Sequence, residues 1–346
     1  MSDDLAGPQL EPRRDAETEP GRGPEPAPGP APGAAPEVDA RAAATQDIRS
    51  RLTGPISGRS FLSRSLLFAE LAMISYLDEQ PARDVAAVIG LDRTSYLDRE
   101  GPEAFVFSND DDVVVVVRGT EPREWSDIRD DANAIADLAE TTGRVHRGFR
   151  READELWPQI RRELAEVNPD DRRDLWFCGH SLGGAVATIC ALRCAVAQDI
   201  RGPAELYSYG SPRIGNKDYV RHAHLTHRRW VHNNDIVTRV PPRSLGFSHA
   251  EPFLYLDGRG RWNPALTAAG IARDRRAAFW HAVRRRRLDS LGDHLIAGYV
   301  YAIGGALDAH GPIDPDSRAA RVLIPSLPVR RARADARRLL DRLLRR

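Results

Sequence analysis

The sequence predicts a mixed α/β fold with a mainly parallel, doubly wound sheet. Three observations predict it. From Ala104 onward, short apolar runs of strand length alternate with stretches of helical periodicity, the order that βαβ crossovers impose. Runs such as Val113–Val117 are apolar at every position, the texture of strands covered on both faces. The pentapeptide Gly179-His180-Ser181-Leu182-Gly183 falls directly between one such run and a helical stretch, where a strand must turn sharply into a helix.

Residues 1–45 hold nine prolines, five glycines and ten alanines with hardly a large apolar side chain. They cannot bury enough surface to offset their ordering entropy, so a disordered tail is expected. From about Ser60, the stripe Leu66, Leu67, Ala69, Leu71, Ala72 and Ile74 predicts a first buried helix. Two strands, Ala104–Ser108 and Val113–Val117, flank Asn109-Asp110-Asp111-Asp112. This acidic run reads as a hairpin turn in preference to a cation site, because Asn and Asp tolerate left-handed backbone. A charged segment, Glu121–Arg144, leads into a helix with Leu156, Ile160 and Leu164 at four-residue spacing, part of which Pro158 should start or kink. There follow a strand at Asp174–Cys178, a helix at Ala185–Gln198, and strands at Leu206–Tyr209 and Arg229–His232.

Charge and cysteine content exclude several classes. The 50 basic residues balance the 50 acidic ones, which argues against a nucleic-acid binder. No run of about 18 uninterrupted apolar residues exists to span a bilayer. Cys178, Cys190 and Cys194 are too few and too odd in number for a disulfide framework. With no basic head followed by an apolar core at the N-terminus, the expectation is a cytoplasmic location. Residues 272–287 carry seven arginines around Phe279 and Trp280. The stretch 326–346 predicts a basic helix, with Ala336, Leu339, Leu340, Leu343 and Leu344 on one arc and Arg338, Arg342, Arg345 and Arg346 opposite. Both segments fit peripheral contact with an anionic membrane, and both fit a solvated helix docked on the body. Nothing in the sequence speaks to oligomeric state.

The chemistry concentrates at Ser181. Glycines two residues before and after a serine on a strand-to-helix turn remove side chains that would collide with the neighbouring strand and helix. The helix that follows aims backbone N–H groups at developing negative charge. A serine hydroxyl needs a base, and the base needs a carboxylate to hold its tautomer. Asp235, just beyond the strand-like Arg229–His232, is a candidate acid. His249 and His294 are both candidate bases, and chain order leaves the choice between them open.

Further motifs occur in order: Val117-Arg118-Gly119-Thr120 with Trp125, Val145-His146-Arg147-Gly148-Phe149, Gly179–Gly184, Gly210-Ser211-Pro212-Arg213-Ile214-Gly215-Asn216, Asn234-Asp235-Ile236-Val237 with Pro241-Pro242, and Asp293-His294-Leu295. On these the chain resembles the class 3 lipase family, the fungal-lipase-like branch of the α/β-hydrolases, along roughly Ala69 to Ala302. The resemblance implies an α/β-hydrolase fold with a nucleophile elbow. It also implies Ser181 as nucleophile, Asp235 as acid, His294 as base, and His249 as a non-catalytic histidine. The oxyanion hole would be Leu182 N–H with Thr120, whose hydroxyl can add a donor. His146, Gly148, Pro212 and Arg213 would be structural, and Glu121–Glu140 would correspond either to a lid or to an amphipathic face packed on the body.

The resulting expectation is a hydrolase domain at 46–325 between the 1–45 tail and the 326–346 helix. It would hydrolyse acylglycerols or other fatty-acyl esters and need neither cofactor nor metal. Alternatives are a phospholipase A1 or acyltransferase with the same triad, and a non-catalytic lipid-binding protein.

Overall fold

The computed structural model describes residues 48–98, 101–119, 135–140, 142–222, 225–250, 252–284 and 292–311, all within the unit Arg41–Arg346. The expected 1–45 tail, the 326–346 helix, Thr120 and most of the candidate lid (121–134) lie outside the described residues.

The chain enters through helix α1, Phe61–Ile74, whose N-cap Ser60 accepts a hydrogen bond from Ser63 N–H at 3.3 Å. Helix α2, Glu79–Ile89, ends at the left-handed Gly90. Strands β1 (Arg93–Asp98), β2 (Glu103–Ser108) and β3 (Asp112–Val117) then form an antiparallel meander. The acidic run makes the expected turn between β2 and β3, with Asn109 Oδ1 accepting from Asp111 N–H and Asp112 N–H at 3.0 and 2.9 Å. Asp112 turns inward, where its carboxylate accepts from Ile56 N–H and Trp176 Nε1–H, each at 2.8 Å.

Short strands β4 (Ala136–Leu138) and β5 (Arg144–His146) precede helix α3, Arg147–Val167. The helix runs on through Pro158, so the expectation that Pro158 starts part of it is not met. Leu156, Ile160 and Leu164 are buried along its inner face, and tertiary packing of this kind outweighs one lost backbone hydrogen bond.

Next come β6 (Asp174–His180), helix α4 (Leu182–Val196), β7 (Glu205–Tyr209), β8 (Gly215–Asn216), the short helix α5 (Lys217–Arg221), β9 (His227–His232), β10 (Phe247–Ser248) and β11 (Phe253–Leu256). Helices α6, Ala268–Arg284, and α7, Ile296–His310, follow. The main sheet has the order β1-β2-β3-β6-β7-β9-β11 and is parallel from β3 onward. A small second sheet, β10-β8-β5-β4, is antiparallel.

Strand alternation divides the core in two. Phe105, Phe107, Val114, Val116, Trp176 and Cys178 face one layer with α1, α2 and α7. Val106, Val113, Val115, Val117, Leu175 and Phe177 face the other with α3 and α4. Both faces are therefore covered, the reason these strands are apolar at every position. Among the described residues no helix is long and apolar enough to cross a membrane. The carboxyl ends of β6, β7 and β9 lie together along one edge, the edge at which open α/β sheets place their chemistry.

Candidate active site

Strand β6 ends at His180 and α4 begins at Leu182, leaving Ser181 as the single residue of the turn, at φ 61° and ψ −132°. A left-handed φ at a residue with a Cβ costs on the order of 1–3 kcal/mol and persists only where the surroundings over-determine it. Here they do. A Cβ on Gly179 would lie 2.5 Å from Gly183 O and 2.7 Å from Gly184 N, and one on Gly183 would strike the Val117 and Arg118 backbone. Ser181 N–H donates to Tyr209 O at 2.9 Å, which ties the turn to β7. Ser181 is fully buried, and its Oγ makes no hydrogen bond among the described residues.

Asp235 follows β9 in a short loop, fully buried. Its carboxylate receives His294 Nδ1–H at 2.9–3.0 Å, Tyr299 O–H at 2.6 Å and Val237 N–H at 2.9 Å. Because a carboxylate only accepts, His294 carries its proton on Nδ1 and keeps Nε2 as the basic nitrogen. Tyr299, from α7, also accepts His232 N–H at 3.0 Å, so the acid is held from β9 and α7 at once. The His294 loop is anchored next door, where Asp293 Oδ2 accepts from Asn233 Nδ2–H and Asn234 N–H at 3.2 and 3.1 Å.

Gly210, at the end of β7, faces this pair. A Cβ there would lie 2.6 Å from Asp235 Oδ2 and 2.9 Å from His294 Nδ1, and its φ of +61° already favours glycine.

His180, beside Ser181 in the chain, packs against His294. Its ring centroid lies 4.5 Å from that of His294, and its Nε2–H donates to the His294 carbonyl at 2.6 Å. The carbonyl fixes the tautomer, so Nδ1 accepts from Tyr76 O–H at 2.8 Å. Burial first, and the neighbouring His294 second, hold His180 well below the usual histidine range and keep it neutral. It clamps the backbone of the base loop.

His249, the competing base, donates Nε2–H to Thr238 O at 2.7 Å and makes no contact with Asp235. Burial and nearby Arg229 hold it well below the ordinary histidine range. The structure thus brings His294, not His249, to Asp235. His146 caps α3 by accepting Phe149 N–H at 3.5 Å, and Arg213 pins the loop after Asp235 through the carbonyls of Arg239 and Pro241.

Leu182 opens α4, whose first amides have no intrahelical acceptor and sit at the positive end of the dipole. Thr120 itself is outside the described residues. Its neighbour Gly119 is packed on the elbow: a Cβ there would lie 2.6 Å from His180 O and 3.3 Å from Ser181 Cβ. Sequence reasoning did not single out Tyr299, Tyr76 or the constraint at Gly210. Among the described residues no group of three or more His, Cys, Asp or Glu side chains could hold a metal ion.

Several known proteins are similar to parts of this chain. The family described as lipase (class 3) matches residues 114–245. The secreted mono- and diacylglycerol lipase 1 of Fusarium solani is 35% identical over 154 residues, covering 42% of this chain and 44% of that protein. The secreted mono- and diacylglycerol lipase A of Penicillium cyclopium is 38% identical over 109 residues, covering 28% of this chain and 33% of that protein. The chain thus spans less than half the length of these relatives. Among solved structures, lipase II from Rhizopus niveus has a TM-score of 0.48 at 21% identity, covering 56% of this chain and 80% of that one.

These relatives overturn the expected cytoplasmic location, since both carry secretion in their names. Cysteine content does not bear on location. Cys178, Cys190 and Cys194 are all buried in the core, where they act as small hydrophobes and report nothing about the redox state outside. Over the match that runs from β3 through the elbow and the Asp235 loop, the chain is similar to the class 3 lipase family.

Proposed function

We propose that this protein is a serine carboxylic-ester hydrolase of lipase type, acting on acylglycerols or related fatty-acyl esters, with its catalytic machinery in a domain spanning about residues 46–325. The observation that carries the reading is the fully buried Asp235 carboxylate on His294 Nδ1, beside a serine held at left-handed φ on the β6–α4 turn.

In this mechanism Ser181 Oγ attacks the ester carbonyl carbon as His294 Nε2 takes its proton. The tetrahedral oxyanion is met by Leu182 N–H and by Thr120, each donor worth on the order of 3 kcal/mol in the transition state. Collapse breaks the acyl C–O bond, and His294 returns the proton to the leaving alkoxide. Water, deprotonated by His294, then attacks the acyl-enzyme and releases the fatty acid and free Ser181. Asp235 keeps its hydrogen bond to His294 Nδ1–H and stabilises the imidazolium. The relatives' action on mono- and diacylglycerols favours glycerides as the substrate class.

The test is hydrolysis of p-nitrophenyl esters from acetate to palmitate. Turnover rising with chain length supports a lipase-type acyl site. Turnover confined to the shortest esters contradicts the fatty-acyl assignment.

A further inference from the structure

The loop that presents Asp235 is surrounded by guanidinium groups. Arg213 is nearly buried and reaches the carbonyls of Arg239 and Pro241, the latter at 2.8 Å, while its Nε has no hydrogen-bond partner among the described residues. Arg239 donates to Asn234 Oδ1 at 2.8 Å. Asn234 in turn donates to Arg275 O at 3.1 Å, and Arg275 Nε–H donates to Asn233 O at 3.1 Å with its guanidinium 5.2 Å from the Tyr255 ring centre. Arg243 is exposed just after the loop.

Among the described residues none of these four arginines forms an ion pair, whereas arginines elsewhere commonly do, as in Arg93–Asp110, Arg147–Asp137 and Arg161–Asp199. The carboxylates nearest the cluster are committed to other groups. Asp235 serves His294 and Tyr299, Asp293 the two asparagines, and Asp274 accepts from Tyr255 O–H at 2.8 Å and Gly258 N–H at 3.0 Å. Burial, together with Arg243, Arg239 and Arg275, pulls Arg213 down to about 10. The cluster is a local excess of positive charge.

Exposed apolar side chains neighbour the cluster in sequence: Ile236 follows the acid, Leu295 follows the base, and Leu245 ends the 3-10 turn that Arg243 begins. Cations beside exposed aliphatic groups suit a molecule that is anionic at one end and apolar at the other.

We propose that Arg239, Arg243 and Arg275 seat the phosphate of an anionic acyl-glycerolipid at the mouth of the catalytic site, so that esters of such lipids are favoured substrates. This rests on the hydrolase reading above and deepens it. The reaction is unchanged: water adds across the acyl C–O bond, giving a fatty acid and a lysolipid that keeps its phosphate.

The test follows fatty-acid release by the full chain from vesicles of phosphatidylcholine alone and of phosphatidylcholine mixed equally with phosphatidylglycerol. Wild type should show the lower apparent KM on the mixed vesicles. Arg239→Gln/Arg243→Gln should raise that KM roughly tenfold, as expected for two surface cations facing anionic lipid. Arg172→Gln/Arg201→Gln, which removes two charges before the opposite ends of β6 and β7, should leave the anionic advantage in place.

No advantage in wild type, or one retained by Arg239→Gln/Arg243→Gln, overturns the proposal. Inorganic phosphate that competes against a soluble ester at matched ionic strength, with no vesicle preference, would assign the seat to soluble phosphorylated esters and likewise overturn it. Hydrolysis of p-nitrophenyl butyrate by wild type runs alongside. Its absence contradicts the hydrolase reading itself, and its presence without vesicle preference contradicts only the seat.

Discussion

Gly210 and Tyr299 set the geometry of the proposed acid and base from opposite sides. With a Cβ on Gly210 only 2.6 Å from Asp235 Oδ2 and 2.9 Å from His294 Nδ1, Gly210→Ala must push the pair apart. A displacement near 1 Å in such a site costs about 100-fold, so kcat should fall at least that far while the far-ultraviolet circular dichroism is retained. Tyr299→Phe removes the donor to Asp235 and leaves His232 N–H without its acceptor. Stability in urea should drop by about 1–3 kcal/mol, and kcat should fall with KM unchanged. An equal rise in KM would show that Tyr299 shapes substrate binding instead. At this scale Ser181 and Asp235 were legible because each follows a strand at a turn. His294 was not separable from His249 by residue reading, since folding alone decides which loop returns to Asp235. Tyr76 meets His180 across 104 residues, a distance that local pattern does not reach.

Among elements, one buried carboxylate reinforces the join between the meander and the parallel half of the sheet. Asp112 begins β3 and satisfies Ile56 N–H ahead of α1 and Trp176 Nε1–H on β6. Asp112→Ala strands both buried donors and should cost about 2–5 kcal/mol in chemical denaturation, with Asp112→Asn milder because it keeps an acceptor oxygen. Equal loss in the two variants would contradict that account. Strands β3, β6 and β7 were legible because their apolar runs are long and covered on both faces. The sequence places the start of α4 at Ala185, three residues late, because Gly183 and Gly184 are poor helix formers; close packing of Gly183 on the end of β3 and of Gly184 on Gly179, Ser208 and Ser211 requires them in the helix nonetheless. Strands of two or three residues such as β8, β10 and β4 carry too little periodicity to be read. Helix α7 was missed because Gly304 and Gly305 interrupt its pattern, although it supplies Tyr299.

For the whole molecule, acid sensitivity follows from histidines buried without charge. His180, His227 and His249 all lie below the model-compound value of 6.5, His227 at about 3, chiefly through burial. Below pH 6.5 the unfolded chain binds protons at these sites and the folded protein does not, so stability falls as pH falls. Glu152, raised to about 7 by burial and then by Glu155, works in the opposite sense, as do Glu70 and Asp112, also raised by burial. The histidine contribution acts between pH 6.5 and 5, where the imidazoles of the unfolded chain become protonated. Urea midpoints should drop steadily across that range. A flat or rising profile would contradict the neutral, buried state of these histidines.

The central claim is that Ser181 is a nucleophile activated by His294 and Asp235. The most direct test is the intact mass of the folded protein after treatment with a fluorophosphonate, followed by peptide mapping. The account predicts one adduct per chain, on Ser181, formed slowly or not at all in Asp235→Ala and His294→Ala. An unmodified folded protein, or an adduct on another residue, would contradict it.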